Sequence, residues 1–324
     1  MKTKEHTITL HSPESLAGRL PLDIGRFLTL TGELSQKSVR LHLEGTSSGR
    51  GGRKPKWLED ATDVRLLGYK SNGNGLTTFG FEAPILGECT PDDVWQRQLF
   101  ESNNNQHSDT NQRSDTPLDW VADAIDAINE QDRDSVLFDH SLLSSCKKFG
   151  NALGCKFDKA AFAGSRISKD SPVVADSVTF EVAESLDSST PKPQAVRVLG
   201  VLDMLHYSQS KFSLKVNGSQ VPCVLLPDQI KELSEFGNTD VIVQGKAVYR
   251  PSGKLLRIEV DHFENGKGQS EVWRKSPVIV SGISIRSKYR KPQGPRSGVN
   301  AFFGTWPGDE TEEEFLAAIT GRSK

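Results

Sequence analysis

The chain has 324 residues, about twice the length of a common domain, so two or more hydrophobic cores are expected. Hydrophobic residues make up 35% of the chain and the formal net charge is −2, which leaves room for linkers and excludes a global attraction to nucleic acid or anionic membrane. No apolar leader and no apolar run of spanning length is present, so we expect a cytoplasmic protein outside the membrane.

The first 100 residues predict a small α+β domain. HTITLHS reads as a strand with Ile8 and Leu10 on one face, and Ile24 to Leu41 carries apolar residues at helical spacing. TSSGRGGRKPKW follows as a basic loop, for which phosphate binding is the alternative to simple solvation. DVRLLGYKSNGNGLTTFGFEAPIL then predicts a hairpin around SNGNG.

Residues 101–117, ESNNNQHSDTNQRSDTP, are polar and have no apolar anchor, so we predict a disordered loop. A helical section is predicted over 118–185. Its first helix, PLDWVADAIDAINEQD, is amphipathic, with Asp119, Asp123 and Asp126 assigned to the polar face.

The helical section continues with a second helix and one strand. SVLFDHSLLSSCKKFGNALGC predicts a helix that ends near Gly150 or Gly154 and forms a hairpin with the first. SVTFEVAES is rich in β-branched residues and reads as a strand. SLDSSTPKPQ is predicted to be a linker because of its Ser, Thr and Pro content.

Residues 195–265 carry five successive β-prone runs, AVRVLGVLDMLHY, KFSLKV, SQVPCVLL, DVIVQGKAVYR and KLLRIEVDHF. An NG dipeptide joins the second run to the third, a helix PDQIKELSEFG precedes the fourth, and PSG leads into the fifth. This order resembles the oligonucleotide/oligosaccharide-binding (OB) fold, a five-stranded barrel. The glycine of VQGKA is where we expect strand curvature.

The OB resemblance implies nucleic-acid binding as an alternative function. Such a face needs aromatic rings for stacking and cations for phosphates, yet the segment is nearly balanced in charge. Phe212 and Tyr249 also suit the barrel core. The candidate nucleic-acid-binding residues are Tyr207, Lys211, Phe212, Tyr249, Arg250 and Arg257.

Catalytic and metal motifs are missing from the sequence. It contains no GxxxxGK[ST], GxSxG or HExxH, and Cys89, Cys146, Cys155 and Cys223 form no CxxC pair. We therefore predict a non-catalytic protein with reduced thiols, no cofactor and no metal site. An enzyme whose site assembles only in three dimensions remains the third alternative.

Residues 286–324 predict a basic hinge followed by an acidic amphipathic arm. GTWPGDETEEEFLAAI has a Pro-Gly turn, acidic residues that suit the first turns of a helix, and an apolar stripe. A short terminal helix is marginal in water, so its apolar side chains need a covering surface. Either the protein's own barrel or a partner groove supplies it. The predicted partner-binding residues are Phe303, Trp306, Phe315, Leu316 and Ile319.

The stretch Gly304 to Glu313, GTWPGDETEE, resembles the C-terminal tail G-x-W-P-G-D-E-T-x-E-E of small antitoxin-like bacterial proteins found beside PIN-type ribonuclease toxins. The resemblance implies a protein partner, a PIN-like or other nuclease, held through the arm in a toxin–antitoxin or antiviral defence system. PIN active sites are acidic, so apolar residues of the arm would supply the contact. The predicted class is a modular α+β protein: an α+β N-terminal domain, a helical section and an OB-like five-stranded β-barrel.

Overall fold

A computed structural model describes residues 2–14, 19–45, 47–49, 54–72, 74–95, 112–154, 156–206, 211–225 and 229–279. The chain divides into two compact units, Met1–Pro277 and Val278–Lys324. The predictions for residues 101–111, the basic hinge and the arm lie outside the described residues. In the described part of the chain, no helix combines the length and apolar character needed to cross a bilayer.

The first unit begins with a five-stranded antiparallel sheet in the order β2-β3-β1-β4-β5. The central strand is the first in the sequence, and its neighbours come from both the N-terminal region and the region after residue 158. The strands are β1 Thr3–His11, β2 Arg65–Asn72, β3 Leu76–Pro84, β4 Lys159–Ala163 and β5 Val173–Asp176.

Four long helices, α1, α5, α6 and α7, pack together over one face of this sheet. The helices are α1 Ile24–Val39, α2 Lys56–Ala61, α3 Leu86–Cys89, α4 Asp92–Trp95, α5 Pro117–Asn129, α6 His140–Leu153 and α7 Ser177–Ser189, and a π-helical turn, Arg40–Glu44, extends α1. The predicted domain boundaries stay a prediction, but elements on both sides of residue 101 share this sheet and its core.

In β1 and β3, every second side chain is buried in the core between the sheet and the helices. Ile8 and Leu10 are buried, as predicted, and lie beside a group of aromatic rings. The Phe27 ring centroid lies 5.6 Å from that of Phe79 and 5.3 Å from that of Phe149. These separations are typical of favourable aromatic packing, and they join α1, α6 and the sheet in one cluster.

Several sequence predictions for this region are confirmed. The Ile24 helix, the hairpin around SNGNG and the two helices α5 and α6 are all present. Gly154 ends α6 with a positive φ of 62°, which glycine adopts readily. The two predicted helices pack mainly against α1 and α7 rather than against each other, so the predicted hairpin of these two helices is wrong.

Three other sequence predictions for this region are wrong. SVTFEVAES forms most of α7 rather than a strand, because the Asp176 carboxylate caps the helix by accepting the Val178 and Thr179 amides. Asp119 is fully buried rather than on the polar face, because it turns back into the helix cap. The predicted disordered loop ends early, since Asp115 and Thr116 are buried and hydrogen-bonded ahead of α5.

A closed five-stranded barrel follows, with the order β10-β8-β7-β6-β9. One parallel pair, β10 with β8, closes it, and the other neighbours are antiparallel. A short helix, α8, and a 3-10 turn stand between the third and fourth strands, as predicted. The elements are β6 Gln194–His206, β7 Lys211–Val216, β8 Ser219–Val224, α8 Ile230–Leu233, the turn Ser234–Phe236, β9 Asp240–Tyr249 and β10 Leu255–Asn265. The predicted α+β class is therefore confirmed, and the barrel is compatible with an OB-like fold.

The residues in its turns and at one strand glycine explain why the barrel could be predicted from the sequence. Asn217 and Gly218 have φ angles of 49° and 82°, the left-handed pair that a tight hairpin requires. At Gly245 a Cβ atom would lie 2.1 Å from the Glu259 carbonyl oxygen, so no other residue fits without a backbone shift. The pairing of β9 and β10 shifts register between Val260 and His262, beside this glycine, which agrees with the expected curvature.

Candidate functional site

The described residues contain a cluster of buried titratable groups, which we call the polar cluster. It lies where β1 begins, where α5 begins and where β4 ends. Its members are His6, Asp115, Thr116, Asp119, Ser165 and Arg166. Buried ionisable groups with shifted pKa values are frequent at functional sites, so this cluster is a candidate active site.

Two arrangements of protons satisfy the hydrogen bonds of His6. Thr116 Oγ1 lies 2.9 Å from Asp119 Oδ2 and 2.8 Å from His6 Nε2, so its single hydrogen serves either the carboxylate, with the imidazole as donor, or the imidazole. Burial lowers the pKa of His6, against the opposing attraction of Asp119, so the ring is neutral at pH 7.

Asp119 is the acceptor on which the cluster converges. Its Oδ2 atom accepts from the Thr116 amide at 2.9 Å, from the Thr116 hydroxyl and from Ser165 Oγ at 3.1 Å. Thr116 Oγ1 in turn accepts the Asp119 amide at 3.3 Å, which completes a capping box. Among the described atoms, the buried Oδ1 of Asp119 has no hydrogen-bond partner.

Asp115 and Arg166 form the second half of the polar cluster. The Asp115 carboxylate accepts from Trp120 Nε1 at 3.2 Å and lies 3.7 Å from Arg166 Nη1. Burial raises the pKa of Asp115 to about 6, although Arg166 pulls it down. Arg166 also pairs with Asp123, so it bridges α5 and the turn after β4.

The polar cluster has the geometry of a helix cap that hydrogen bonds and ion pairs connect to neighbouring strands. A nucleophile needs a base that accepts its proton, and the hydroxyl beside His6 Nε2 is that of Thr116, which is fully buried and caps α5. Ser165 donates to a carboxylate rather than to an imidazole. Within the described ranges, no group of three or more His, Cys, Asp and Glu side chains is arranged to hold a metal ion.

A second polar network joins the α+β domain to the barrel through the start of the basic loop. Asp139, which caps α6, accepts from the Ser48 amide at 2.8 Å and from the Ser48 hydroxyl at 2.5 Å. The neighbouring Ser47 amide donates to Glu259 of β10 at 3.2 Å. Ser47 and Ser48, where the basic loop begins, are therefore held beside the barrel, and Arg50 and Arg53 lie outside the described residues.

The turn between the fourth and fifth barrel strands is also docked on the α+β domain. Arg133 Nη2 donates to the Pro251 carbonyl at 3.1 Å, and the Arg133 carbonyl accepts from the Ser252 amide at 3.1 Å. Arg250 Nη1 donates to the Asp134 carbonyl at 2.6 Å. In OB folds this turn commonly borders the ligand face, whereas here its backbone contacts are intramolecular.

The described nucleic-acid candidates do not form one exposed face. Phe212 is 2% exposed and packs in the barrel core, and Tyr249 is buried. Arg257 is buried and pairs with Glu259 at 3.0 Å, while Arg250 makes the contact with Asp134. Lys211 is half-buried with its side chain against Gly45. Tyr207 lies outside the described residues.

The partner-binding candidates of the arm, Phe303, Trp306, Phe315, Leu316 and Ile319, also lie outside the described residues. The chain matches no protein-family model, no curated protein and no solved structure. The resemblance of the arm to antitoxin tails therefore stays a prediction.

Sequence reasoning missed the polar cluster, although two of its signals are visible in the chain. His6 shares the strand parity of Ile8 and Leu10, which predicts an inward side chain. Thr116 and Asp119 stand three residues apart at the start of an apolar helix, the spacing of a capping box. The pairing of Asp115 with Arg166 joins distant segments, and no local pattern indicates it.

Proposed function

We propose that the protein is a non-catalytic interaction or regulatory protein that holds a protein partner through its C-terminal arm. The observation that carries the proposal is the arm sequence, in which aromatic and aliphatic residues flank an acidic run that suits the first turns of a helix. All of the arm residues belong to the second unit of the chain, Val278–Lys324.

The first unit, Met1–Pro277, which we call the body, contains three hydrophobic clusters among its described residues. One fills the α+β domain, one fills the barrel, and a third lies among Val39, Leu43, Leu86, Trp95 and Trp120. The buried titratable groups are engaged with one another in a helix cap, which favours a structural over a catalytic role for them. A scaffold that displays a separate binding segment agrees with both features.

The partner class follows from the resemblance to antitoxin tails. We propose a PIN-like or other nuclease and a role in a bacterial toxin–antitoxin or antiviral defence system. Trp306 and Phe315 would act as anchors in an apolar groove, and the acidic run from Asp309 to Glu314 would meet a basic rim.

Deletion of residues 303–324 tests whether the arm serves a partner or the body. The proposal expects co-purification with a nuclease encoded by a neighbouring gene to be abolished and the thermal midpoint of the body to stay within about 2 °C. A loss of stability of several kcal/mol would contradict it, because each large side chain buried on the body is worth about 1.5–3 kcal/mol. Trp306→Ala with Phe315→Ala repeats the test, and Val178→Ala on the exposed surface of α7 is the control.

A second candidate function is nucleic-acid binding. The observation that favours it is that Ser47 and Ser48, which precede the Arg- and Lys-rich sequence, bond to Glu259 of the barrel and to Asp139. Salt-dependent retention on single-stranded DNA or RNA, lost on Arg50→Ala with Arg53→Ala, would support this function. Retention that is absent at about 50 mM salt would exclude it.

A further inference from the structure

The chain contains four Asn-Gly dipeptides, a sequence in which the asparagine side chain can react with the backbone that follows it. The amide nitrogen of the glycine attacks Cγ of the asparagine, and the missing glycine side chain leaves this approach open. The glycine amide must be free to lose its proton to solvent, so its surroundings set the rate. The four dipeptides begin at Asn72, Asn74, Asn217 and Asn265.

The structure distinguishes the dipeptide at Asn217 from the others. Asn217 and Gly218 form the exposed two-residue turn between β7 and β8, and the Gly218 amide donates to no carbonyl group in the described part of the chain. A Cβ atom at Gly218 would meet nothing within 4 Å, so the turn also has space around it. The Gly218 amide is therefore open to base from the solvent.

The other glycines of these dipeptides whose placement is described are protected. Gly266 is buried, and its amide donates to the Asp240 carbonyl at 2.8 Å. Gly75 is buried, and a Cβ atom there would lie 2.4 Å from the Ser12 carbonyl oxygen. A buried amide reacts only when the surrounding structure opens, which lowers its rate. Gly73 lies outside the described residues.

The Asn217 side chain also holds residues 270–275, a segment after β10 that we call the strap. Its Nδ2 atom donates to the Arg274 carbonyl at 2.8 Å. The neighbouring Trp273 ring lies beside β6, with the Arg197 guanidinium 5.5 Å from the ring centroid. The strap leads to the end of the body, so the Asn217 amide tethers the chain close to where the body ends.

We propose that Asn217 is a site of spontaneous deamidation and that the reaction releases the strap from the β7–β8 turn. The Gly218 nitrogen loses its proton to solvent and forms a bond to Cγ of Asn217. The Cγ–Nδ2 bond breaks, and the leaving nitrogen takes up a proton and departs as ammonia. Water then opens the resulting succinimide ring at either carbonyl, which leaves aspartate or isoaspartate. Water is the only co-reactant.

The product no longer fits the strap. A carboxylate oxygen replaces the Nδ2 donor and faces the Arg274 carbonyl, and two acceptors without a hydrogen between them repel each other. The Arg274 guanidinium is already paired with Glu271 at 2.7 Å and with Asp240 at 3.0 Å, so it is not free to neutralise the new charge. In isoaspartate the backbone also runs through the former side chain, which lengthens the turn and disturbs the pairing of β7 with β8.

Peptide mapping by mass spectrometry, on the full chain incubated at mildly alkaline pH, tests the reaction. The proposal expects Asn217 to convert at least about tenfold faster than Asn265, whose glycine amide is buried and hydrogen-bonded. Asn217→Gly, which keeps a residue suited to the left-handed turn, should abolish the conversion in that peptide. Conversion of Asn217 at the rate of Asn265, or more slowly, would overturn the proposal.

Hydrogen–deuterium exchange tests whether the change releases the strap. The Trp273 and Arg274 amides donate to carbonyl groups within the strap, at 3.2 and 3.0 Å, so their exchange reports on its order. Asn217→Asp should speed this exchange at least about fivefold, because the strap opens more often. Asn74→Asp makes the same change on the exposed β2–β3 turn and, as the matched control, should leave the exchange unchanged. Equal exchange in the two variants would overturn the proposed release.

Discussion

Replacement of Asp115 by asparagine should stabilise the protein at neutral pH and leave it nearly unchanged in acid. Burial raises the pKa of this carboxyl from 3.8 to about 6, and a difference of that size corresponds to about 3 kcal/mol of unfolding free energy. The side chain is 4% exposed, so solvent screens little of this effect. Because the folded state holds the proton more tightly, the cost is absent below about pH 4, develops between about pH 4 and 6, and is complete above that.

The Asp115→Asn variant removes this cost and keeps the local contacts. The amide oxygen still accepts the Trp120 indole proton, and Arg166 keeps its pairing with Asp123. Urea unfolding at pH 4 and pH 7.5 should therefore show a gain of about 2–3 kcal/mol at pH 7.5 and a gain near zero at pH 4. Taking the difference from the unsubstituted protein at each pH cancels the other titrating groups, His6 included.

The exposed Asp126 on the same helix is the control, and Asp126→Asn should change stability by less than about 0.5 kcal/mol at both pH values. A stability gain for Asp115→Asn that is the same at pH 4 and 7.5, or a loss at pH 7.5, would refute the reasoning. The second outcome would mean that attraction to Arg166 outweighs the desolvation of Asp115.

Three further predictions concern stability and are measured by urea unfolding with circular dichroism. Thr116→Ala should cost about 1–2 kcal/mol because it removes the cap of α5 and the hydrogen-bond partner of His6 Nε2, whereas Thr116→Ser should keep most of the stability. Gly245→Ala should destabilise the protein by several kcal/mol, since its methyl group meets the Glu259 carbonyl; a neutral result would show that the strand relaxes. Phe212→Ala should cost about 3–5 kcal/mol through a cavity in the barrel core, and an unchanged midpoint would contradict its burial.

The barrel was predictable because its signals are local. The Asn217-Gly218 turn, the short helix before β9 and the Pro251 to Gly253 turn each specify one connection between neighbouring runs. β-Branched residues fill strands on either side of these turns, so propensity and turn chemistry agree. Element order alone was then sufficient to predict a five-stranded barrel.

The α+β domain was less predictable because its strand order depends on contacts between residues that are far apart in the sequence. In α7, Val178 and Thr179 favour a strand by propensity, but the Asp176 cap and the packing of Phe180 against Phe149 at 6.2 Å select a helix. Strand β4 is short and apolar on both faces, so it shows no alternation.

The two halves of the polar cluster are also separated in the chain. His6 and Thr116 meet across 110 positions of sequence, and neither residue carries information about the other. Only the structure could show that the buried histidine serves the cap of α5.

The most direct test of the proposed function is a calorimetric titration of a purified PIN-like nuclease, chosen from among the products of the neighbouring genes, with the protein. The account predicts saturable binding, which Trp306→Ala with Phe315→Ala weakens at least a hundredfold, since buried aromatic anchors each contribute about 2 kcal/mol or more. The control Val178→Ala should bind like the unsubstituted protein. Binding of equal strength by the Trp306 and Phe315 variant would contradict the central claim that the arm holds the partner.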